Sequence, residues 1–111
     1  MARASHERRK YQRHPLKCPA HLTDETGSCI AAAKTINISD GGMLVPLDAE
    51  AAPQPGLSLS MKLSIPRSTP NTFLLQPVAG KAVVVRHEPS DNGDCNVAIR
   101  FEPPLELDLE V

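Results

Sequence analysis

Proline occurs so often along this chain that long helices have almost no place to form. Eleven of the 111 residues are proline, and after residue 15 the longest stretch without one is residues 20–45. Proline has no backbone N–H and its ring collides with the preceding helical turn, so it disrupts a helix interior. Residues 20–45 are rich in β-branched residues and also contain Gly27, Gly41 and Gly42, all of which disfavour a helix. The sequence therefore predicts an all-β fold, with at most short helices at the termini, over residues 4–13 and near the C-terminal end.

An alternation of apolar and polar residues marks the strands. In residues 57–65 and again in residues 95–101 every second residue is large and apolar, as in a strand with one buried face. Residues 82–85 are continuously apolar, which predicts a more fully buried strand. Turn-forming residues separate these segments from shorter candidate strands at residues 16–23, 30–39, 43–47 and 73–78. About six strands at this spacing are typical of a small antiparallel barrel or sandwich.

Charge is distributed unevenly, although the formal net charge is only −1. Residues 1–17 contain six basic residues and one acidic residue, whereas residues 102–111 contain four acidic residues and no basic one. A basic arm on an otherwise acidic chain suggests a compact anion as partner, or nucleic acid. Only three residues are aromatic, which argues against a surface on which single-stranded bases stack.

Several functional classes lack their usual sequence signals. The length allows one domain, and no apolar run reaches the roughly 18 residues of a membrane span, so we expect a cytoplasmic protein without membrane insertion. The sequence has no nucleophile elbow or P-loop. Neither the cysteines nor the histidines have metal-ligand spacing: Cys18, Cys29, Cys95, His6, His14, His21 and His87. We expect no catalytic residues, no metal and no cofactor, and hence a protein that is not an enzyme.

The first informative motif lies in the basic arm, where Arg9 and Arg13 are spaced Arg-x-x-x-Arg and Arg8 precedes them. Guanidinium groups are planar and permanently charged. They donate paired hydrogen bonds to a phosphate or a guanine edge and stack on purine faces. The alternative interpretation is a solvated basic terminus without a specific ligand.

The second motif is Asn37-Ile38-Ser39-Asp40-Gly41-Gly42. In an extended strand, Asn37 and Ser39 point to one face while Ile36 and Ile38 point into the core. The two glycines then permit a tight turn and a close approach of a ligand to the backbone. The alternative interpretation is a hairpin turn capped by the serine.

Taken together, the two motifs resemble the PilZ domain, a bacterial receptor for cyclic di-GMP. The resemblance rests on Arg9-x-x-x-Arg13 followed, after 23 residues, by Asn37-x-Ser39-x-x-Gly42. It implies a six-stranded antiparallel barrel over residues 15–103, a flexible arm at residues 1–14 and an acidic tail at residues 104–111. It also implies that Arg9 and Arg13 hold phosphates and guanine bases, that Asn37 and Ser39 bind a guanine edge, and that Gly42 keeps the turn open.

Arg8 carries a further expectation from the resemblance. Family members with an arginine at this position tend to bind a stacked pair of cyclic di-GMP molecules, so two ligands per chain are expected. In the alternative, Arg8 only adds charge to a solvated arm. Residues 105–111 alternate acidic and apolar residues, which predicts either a frayed end or a strand that binds a partner.

Three functions remain open at this point. The resemblance favours a cyclic di-GMP effector whose arm becomes ordered and thereby changes the activity of a protein partner. The first alternative is a PilZ-like adaptor that binds proteins but no nucleotide. The second is a nucleic-acid-binding protein that uses its basic arm, which would bind with strong salt dependence and no guanine preference.

Overall fold

Seven antiparallel strands form the described part of the chain, residues 11–90 and 93–109, in a computed structural model. Within these residues there is no helix, and the expected all-β class is confirmed. The expected N-terminal helix lies outside the described residues up to residue 10, and residues 11–13 are not helical. The strands are β1 (Pro19–Thr23), β2 (Cys29–Lys34), β3 (Asn37–Ile38), β4 (Gly42–Asp48), β5 (Ser58–Thr69), β6 (Thr72–Pro89) and β7 (Asp94–Phe101).

The strands belong to one curled sheet with the order β2-β1-β5-β6-β7-β4-β3. Its two ends, β2 and β3, are consecutive in the chain, so the short link between them joins one end of the sheet to the other. Hydrogen bonds continue across this link, because the Thr35 N–H donates to the Cys18 carbonyl at 3.0 Å and the Ile36 N–H donates to the Leu44 carbonyl at 2.7 Å. The result is a curled, barrel-like sheet with a filled interior.

The interior is built from the alternation seen in the sequence. On β4, on β7 and on β5 as far as Ile65, every second side chain is buried, and the side chains between them are more exposed. Burying these apolar side chains provides the main driving force for the fold. The largest of the fully buried apolar side chains are Phe101, Leu22, Ile38, Leu59, Met61, Leu63, Ile65 and Leu107.

The predicted strand 30–39 is divided into β2 and β3 by Thr35. This side chain is 1% exposed; its hydroxyl donates to the Leu16 carbonyl at 2.7 Å and accepts from the Cys18 N–H at 2.9 Å. Because Thr35 and Ile38 are both buried and three residues apart, simple alternation cannot continue between them. Ile36 is therefore only partly buried, and the expectation that it points into the core is wrong.

The strand β6 combines the two predicted strands 73–78 and 82–85, and it is less buried than expected. A β-bulge shifts its pairing with β7, so that Val84 pairs with Ile99 and Arg86 pairs with Ala98. Val85 is the extra residue and is 41% exposed, while Val84 is 1% exposed. Bulges change the side of the sheet to which a side chain points. Nothing in the apolar run of residues 82–85 indicated where the bulge would lie.

Residues 105–109 pack against the barrel, so the predicted frayed end does not describe them. Leu107 is 2% exposed within the core, and Leu105 and Leu109 pack against it from the rim. The proline pair Pro103-Pro104 precedes this segment, which forms neither a helix nor a strand.

The cysteines are unpaired and differ in burial. Cys18 and Cys95 are buried, and Cys29 is exposed. Burial raises the pKa of the Cys18 thiol, although a hydrogen bond with Thr35 and the charge of Arg67 oppose the shift. Within residues 11–90 and 93–109, no helix is long and apolar enough to cross a membrane.

Candidate functional site

A cleft of about 420 Å³ lies on the outer surface of β4, β6 and β7, beside the turn at residues 39–42. Its size lies within the range of small-molecule binding sites. The residues around it come from five parts of the chain: Tyr11, Arg13, Asn37, Ser39, Gly41, Gly42, Met43, Leu44, Val85, Arg86, Ala98, Ile99, Arg100, Phe101, Glu102 and Pro104.

The floor of the cleft is set by the pairing of β4 with β7. Gly42 pairs with Arg100 and Leu44 pairs with Ala98, and directly opposed residues in an antiparallel pair face the same side. A Cβ added at Gly42 would overlap the carbonyl oxygen of Ile99. The strands therefore approach at Gly42 more closely than a side chain permits, which explains the glycine at this position.

The wall of the cleft is the turn that follows β3, and Ser39 holds it in shape. Its hydroxyl accepts hydrogen bonds from the Gly41 N–H at 3.1 Å and the Gly42 N–H at 3.2 Å. Its own N–H donates to the Gly42 carbonyl at 2.8 Å. The serine thus caps the turn, which was one interpretation of the motif, and it also lies beside Asn37 at the cleft.

The start of the described chain packs on the same turn. His14 forms a bridge with Ile38, in which the N–H of each residue donates to the carbonyl of the other, at 2.8 and 3.0 Å. The ring of Tyr11 lies against Gly41, where an added Cβ would overlap it. This packing places Arg13 at the cleft, although its side chain is exposed to solvent.

Two further guanidinium groups lie at the cleft, and the sequence motifs did not identify them. Arg86 pairs with Glu88 at 2.7 Å within β6, and Arg100 of β7 pairs at 2.6 Å with Glu102, which follows the end of that strand. About half of each arginine side chain is exposed, and such surface pairs contribute little to stability. The glutamates therefore orient these cations without removing them from contact with a ligand.

The bulge in β6 explains why Arg86 belongs to this group. If Val85 were a regular strand residue and not a bulge, alternation would turn Arg86 to the same side as the buried Val84. The arginine–glutamate pairs two residues apart, Arg86-x-Glu88 and Arg100-x-Glu102, were the available sequence signal. That signal identifies two exposed ion pairs. It does not show that their arginines share a cleft with the turn.

Four of the six predicted site residues lie together at this cleft: Arg13, Asn37, Ser39 and Gly42. The remaining two, Arg8 and Arg9, lie outside the described residues. Strand alternation had predicted that Asn37 and Ser39 face the same side, and both line the cleft.

Comparisons with known proteins show the family of the chain. The family model of the PilZ domain matches residues 7–110, nearly the whole chain. The chain belongs to the PilZ domain family. The family expected from the two motifs is thus confirmed, while no curated protein matches the chain.

A solved structure shares the fold of this PilZ domain. It is the structure of the Bacillus subtilis inhibitor of motility (MotI/DgrA), with a TM-score of 0.68 and 21% sequence identity over 90% of this chain. The PilZ domain spans 45% of the length of that chain. At this level of identity, the likeness shows the fold.

The cleft of this PilZ domain is chemically suited to an anion that also carries a polar planar group. Guanidinium groups of Arg13, Arg86 and Arg100 supply charge and directed donors, and Asn37 supplies both a donor and an acceptor. Within residues 11–90 and 93–109, no group of three His, Cys, Asp or Glu side chains has the geometry to hold a metal ion.

The two adjacent glycines give a direct test of the geometry. Gly42→Ala forces a methyl group against a backbone carbonyl of β7, so we expect it to lower the free energy of unfolding by about 1–3 kcal/mol. Gly41→Ala meets only the Tyr11 side chain, which can rotate away, so its cost should stay below about 1 kcal/mol. Urea unfolding of both variants measures the difference, and equal stabilities would contradict the close approach at Gly42.

Proposed function

We propose that this PilZ domain is a receptor for cyclic di-GMP and acts as a non-catalytic effector in the cytoplasm. The observation that carries the proposal is the meeting of Arg13, Asn37 and Ser39 at one cleft, although 23 residues separate the first two in the chain. These residues belong to the motifs Arg-x-x-x-Arg and Asn-x-Ser-x-x-Gly that first suggested the family. In this proposal Arg8 and Arg9 contribute from the arm.

The chemistry of the ligand fits the groups at the cleft. Cyclic di-GMP carries two phosphates and two guanine bases, so it requires fixed cations together with paired donors and acceptors. An arginine offers both kinds of contact, because its fork of N–H groups matches a phosphate and also the acceptor edge of guanine. Asn37 supplies the complementary donor and acceptor for a guanine edge. A second messenger of this kind needs recognition alone, so no catalytic group is required.

Ser39 has a more limited role in this proposal than in the sequence-based expectation. Its hydroxyl already accepts two backbone N–H groups of the turn and donates to the Gly42 carbonyl at 3.4 Å, which leaves little capacity for a ligand. We infer that Ser39 acts mainly by shaping the turn beside Asn37. The loss of this hydroxyl would then reduce binding through the turn geometry.

The output of the receptor is contact with another protein. The hairpin of β5 and β6 extends beyond the barrel and exposes Phe73, Leu74 and Leu75, each at least 49% exposed. Exposed apolar groups of this kind favour a protein-binding surface. The same surface would serve an adaptor without a nucleotide ligand, so a ligand titration distinguishes the receptor from the adaptor.

Arg13→Ala is the variant that tests the receptor function. It should weaken cyclic di-GMP binding by roughly 2–5 kcal/mol, because a ligand phosphate loses its charged partner. Calorimetric titration of the wild type should show far weaker binding of GMP, which cannot satisfy separated arginines and the polar edge together.

Lys17→Ala is the matched control for this experiment. Lys17 is an exposed base near the arm and is not part of the cleft, so its loss should leave the affinity almost unchanged. Equal and weak binding of GMP and cyclic di-GMP by the wild type would favour the adaptor. Equal losses in the two variants would indicate nonspecific attraction of an anion to a basic segment.

Arg8→Leu tests the number of ligands. Two stacked dinucleotides bring four phosphates together, and a third guanidinium in the arm offsets their repulsion and stacks on guanine. We expect two ligands per wild-type chain and a ratio closer to one in the variant. The measurement is a calorimetric titration with an independently determined fraction of active protein, and one ligand per wild-type chain would contradict the role of Arg8.

A further inference from the structure

Residues 105–109, here called the C-terminal strap, are hydrogen-bonded to the turn that forms the wall of the cleft. Both contacts are made to one residue of the turn, Asp40. Its backbone carbonyl accepts from the Leu105 N–H at 2.8 Å, and its carboxylate accepts from the Leu107 N–H at 2.9 Å. Asp40 is thus a double anchor between two segments that are more than 60 residues apart in sequence.

The strap is held against the barrel by one buried side chain and by hydrogen bonds from Arg67. Leu107 is 2% exposed in the core, whereas its neighbours Glu106 and Asp108 face solvent. At its far end, the Arg67 guanidinium donates to the Asp108 carbonyl at 2.8 Å and to the Leu107 carbonyl. The strap therefore links Asp40 to the barrel core and to the outer part of the β5–β6 hairpin, where Arg67 pairs with Leu74.

Asp40 does not face the cleft. It is absent from the cleft lining, although its two neighbours Ser39 and Gly41 belong to it. Asp40 instead borders a separate hollow on the other side of the turn, together with His14 and with Leu109 of the strap. Apart from the long-range effect of its charge, any influence of its side chain on a ligand in the cleft must therefore act through the turn.

We propose that Asp40 is a positioning residue for ligand binding, and that it holds the turn in its binding shape by tying it to the C-terminal strap. This inference rests on the proposed receptor function. The Gly41 carbonyl also accepts from the Phe101 N–H at 2.9 Å, so the turn is fixed from β7 on one side and from the strap on the other. Releasing the strap would free the wall of the cleft without removing any group that lines it.

Thermodynamic linkage makes this coupling reciprocal. If a docked strap strengthens ligand binding by some factor, a bound ligand strengthens docking of the strap by the same factor. Ligand binding should therefore slow amide exchange at Leu105 and Leu107, although neither residue borders the cleft. The strap is hydrogen-bonded to Arg67 of the hairpin, which pairs with the exposed Leu74, so the coupling connects the cleft with the exposed apolar surface of β5 and β6.

Asp40→Ala is the decisive variant. We expect about a tenfold weaker affinity for cyclic di-GMP, a factor typical of coupled sites, together with faster amide exchange at Leu107, Gly41 and Gly42. Removing a negative charge near the site should by itself strengthen the binding of an anionic ligand. A loss of affinity in Asp40→Ala would therefore not be caused by the change in charge. Asp40→Asn keeps an oxygen that accepts the Leu107 N–H and should restore most of the affinity.

Two other variants separate positioning from general destabilisation. Asp48→Ala removes a carboxylate that caps the Glu50 N–H at 3.1 Å at the opposite end of β4, and it should leave the affinity unchanged. Arg67→Met releases the far end of the strap without touching the turn, and it should weaken binding in the same direction as Asp40→Ala. All titrations are made well below the melting temperature of each variant.

The outcomes distinguish this inference from the receptor function. Unchanged affinity in Asp40→Ala, or equal losses in Asp40→Ala and Asp40→Asn, would overturn the positioning role. If the wild type binds no cyclic di-GMP, the receptor function fails. The role of Asp40 in holding the turn can still be tested in that case, by amide exchange of Gly41 and Gly42 in ligand-free Asp40→Ala. Exchange equal to that of the wild type would overturn this role as well.

Discussion

The hydrogen bonds that converge on the turn at residues 39–42 are the interaction on which the candidate site depends. The start of the described chain reaches this turn through the His14–Ile38 bridge, and β7 reaches it through the Phe101 N–H. The strap reaches it through Asp40. A short turn has few contacts of its own, so its shape is determined by these three attachments together with the Ser39 hydroxyl.

The close approach of β4 and β7 explains why the attachments meet at this place. Gly42 lies where β4 begins and passes the Ile99 carbonyl at a distance that excludes a Cβ. The carbonyl of the preceding glycine then accepts the Phe101 N–H at the end of β7. One pair of adjacent glycines therefore joins the floor of the cleft to its wall, which brings the polar groups of the turn beside the arginines of the strands.

The alternation of apolar residues was enough to predict the class of the fold and most of its strands, because one buried face per strand repeats every second residue. It failed at Thr35 and Val85, where a buried hydroxyl and a bulge interrupt the period. Both interruptions depend on partners far away in the chain, Leu16 for the hydroxyl and β7 for the bulge. The local pattern of apolar and polar residues does not show such distant partners. For the same reason, the motifs identified Arg13 and Asn37 but not Arg86, Arg100 or the anchoring role of Asp40.

We propose that cyclic di-GMP occupies the cleft between the turn and the arginine-bearing strands. The most direct test is a map of backbone amide chemical shifts during titration with cyclic di-GMP. The largest changes should occur at residues 37–42 and 98–100, with smaller ones at the strap. Changes centred on the exposed β5–β6 hairpin around Phe73, or no changes at ligand concentrations that saturate an independent binding signal, would contradict the claim.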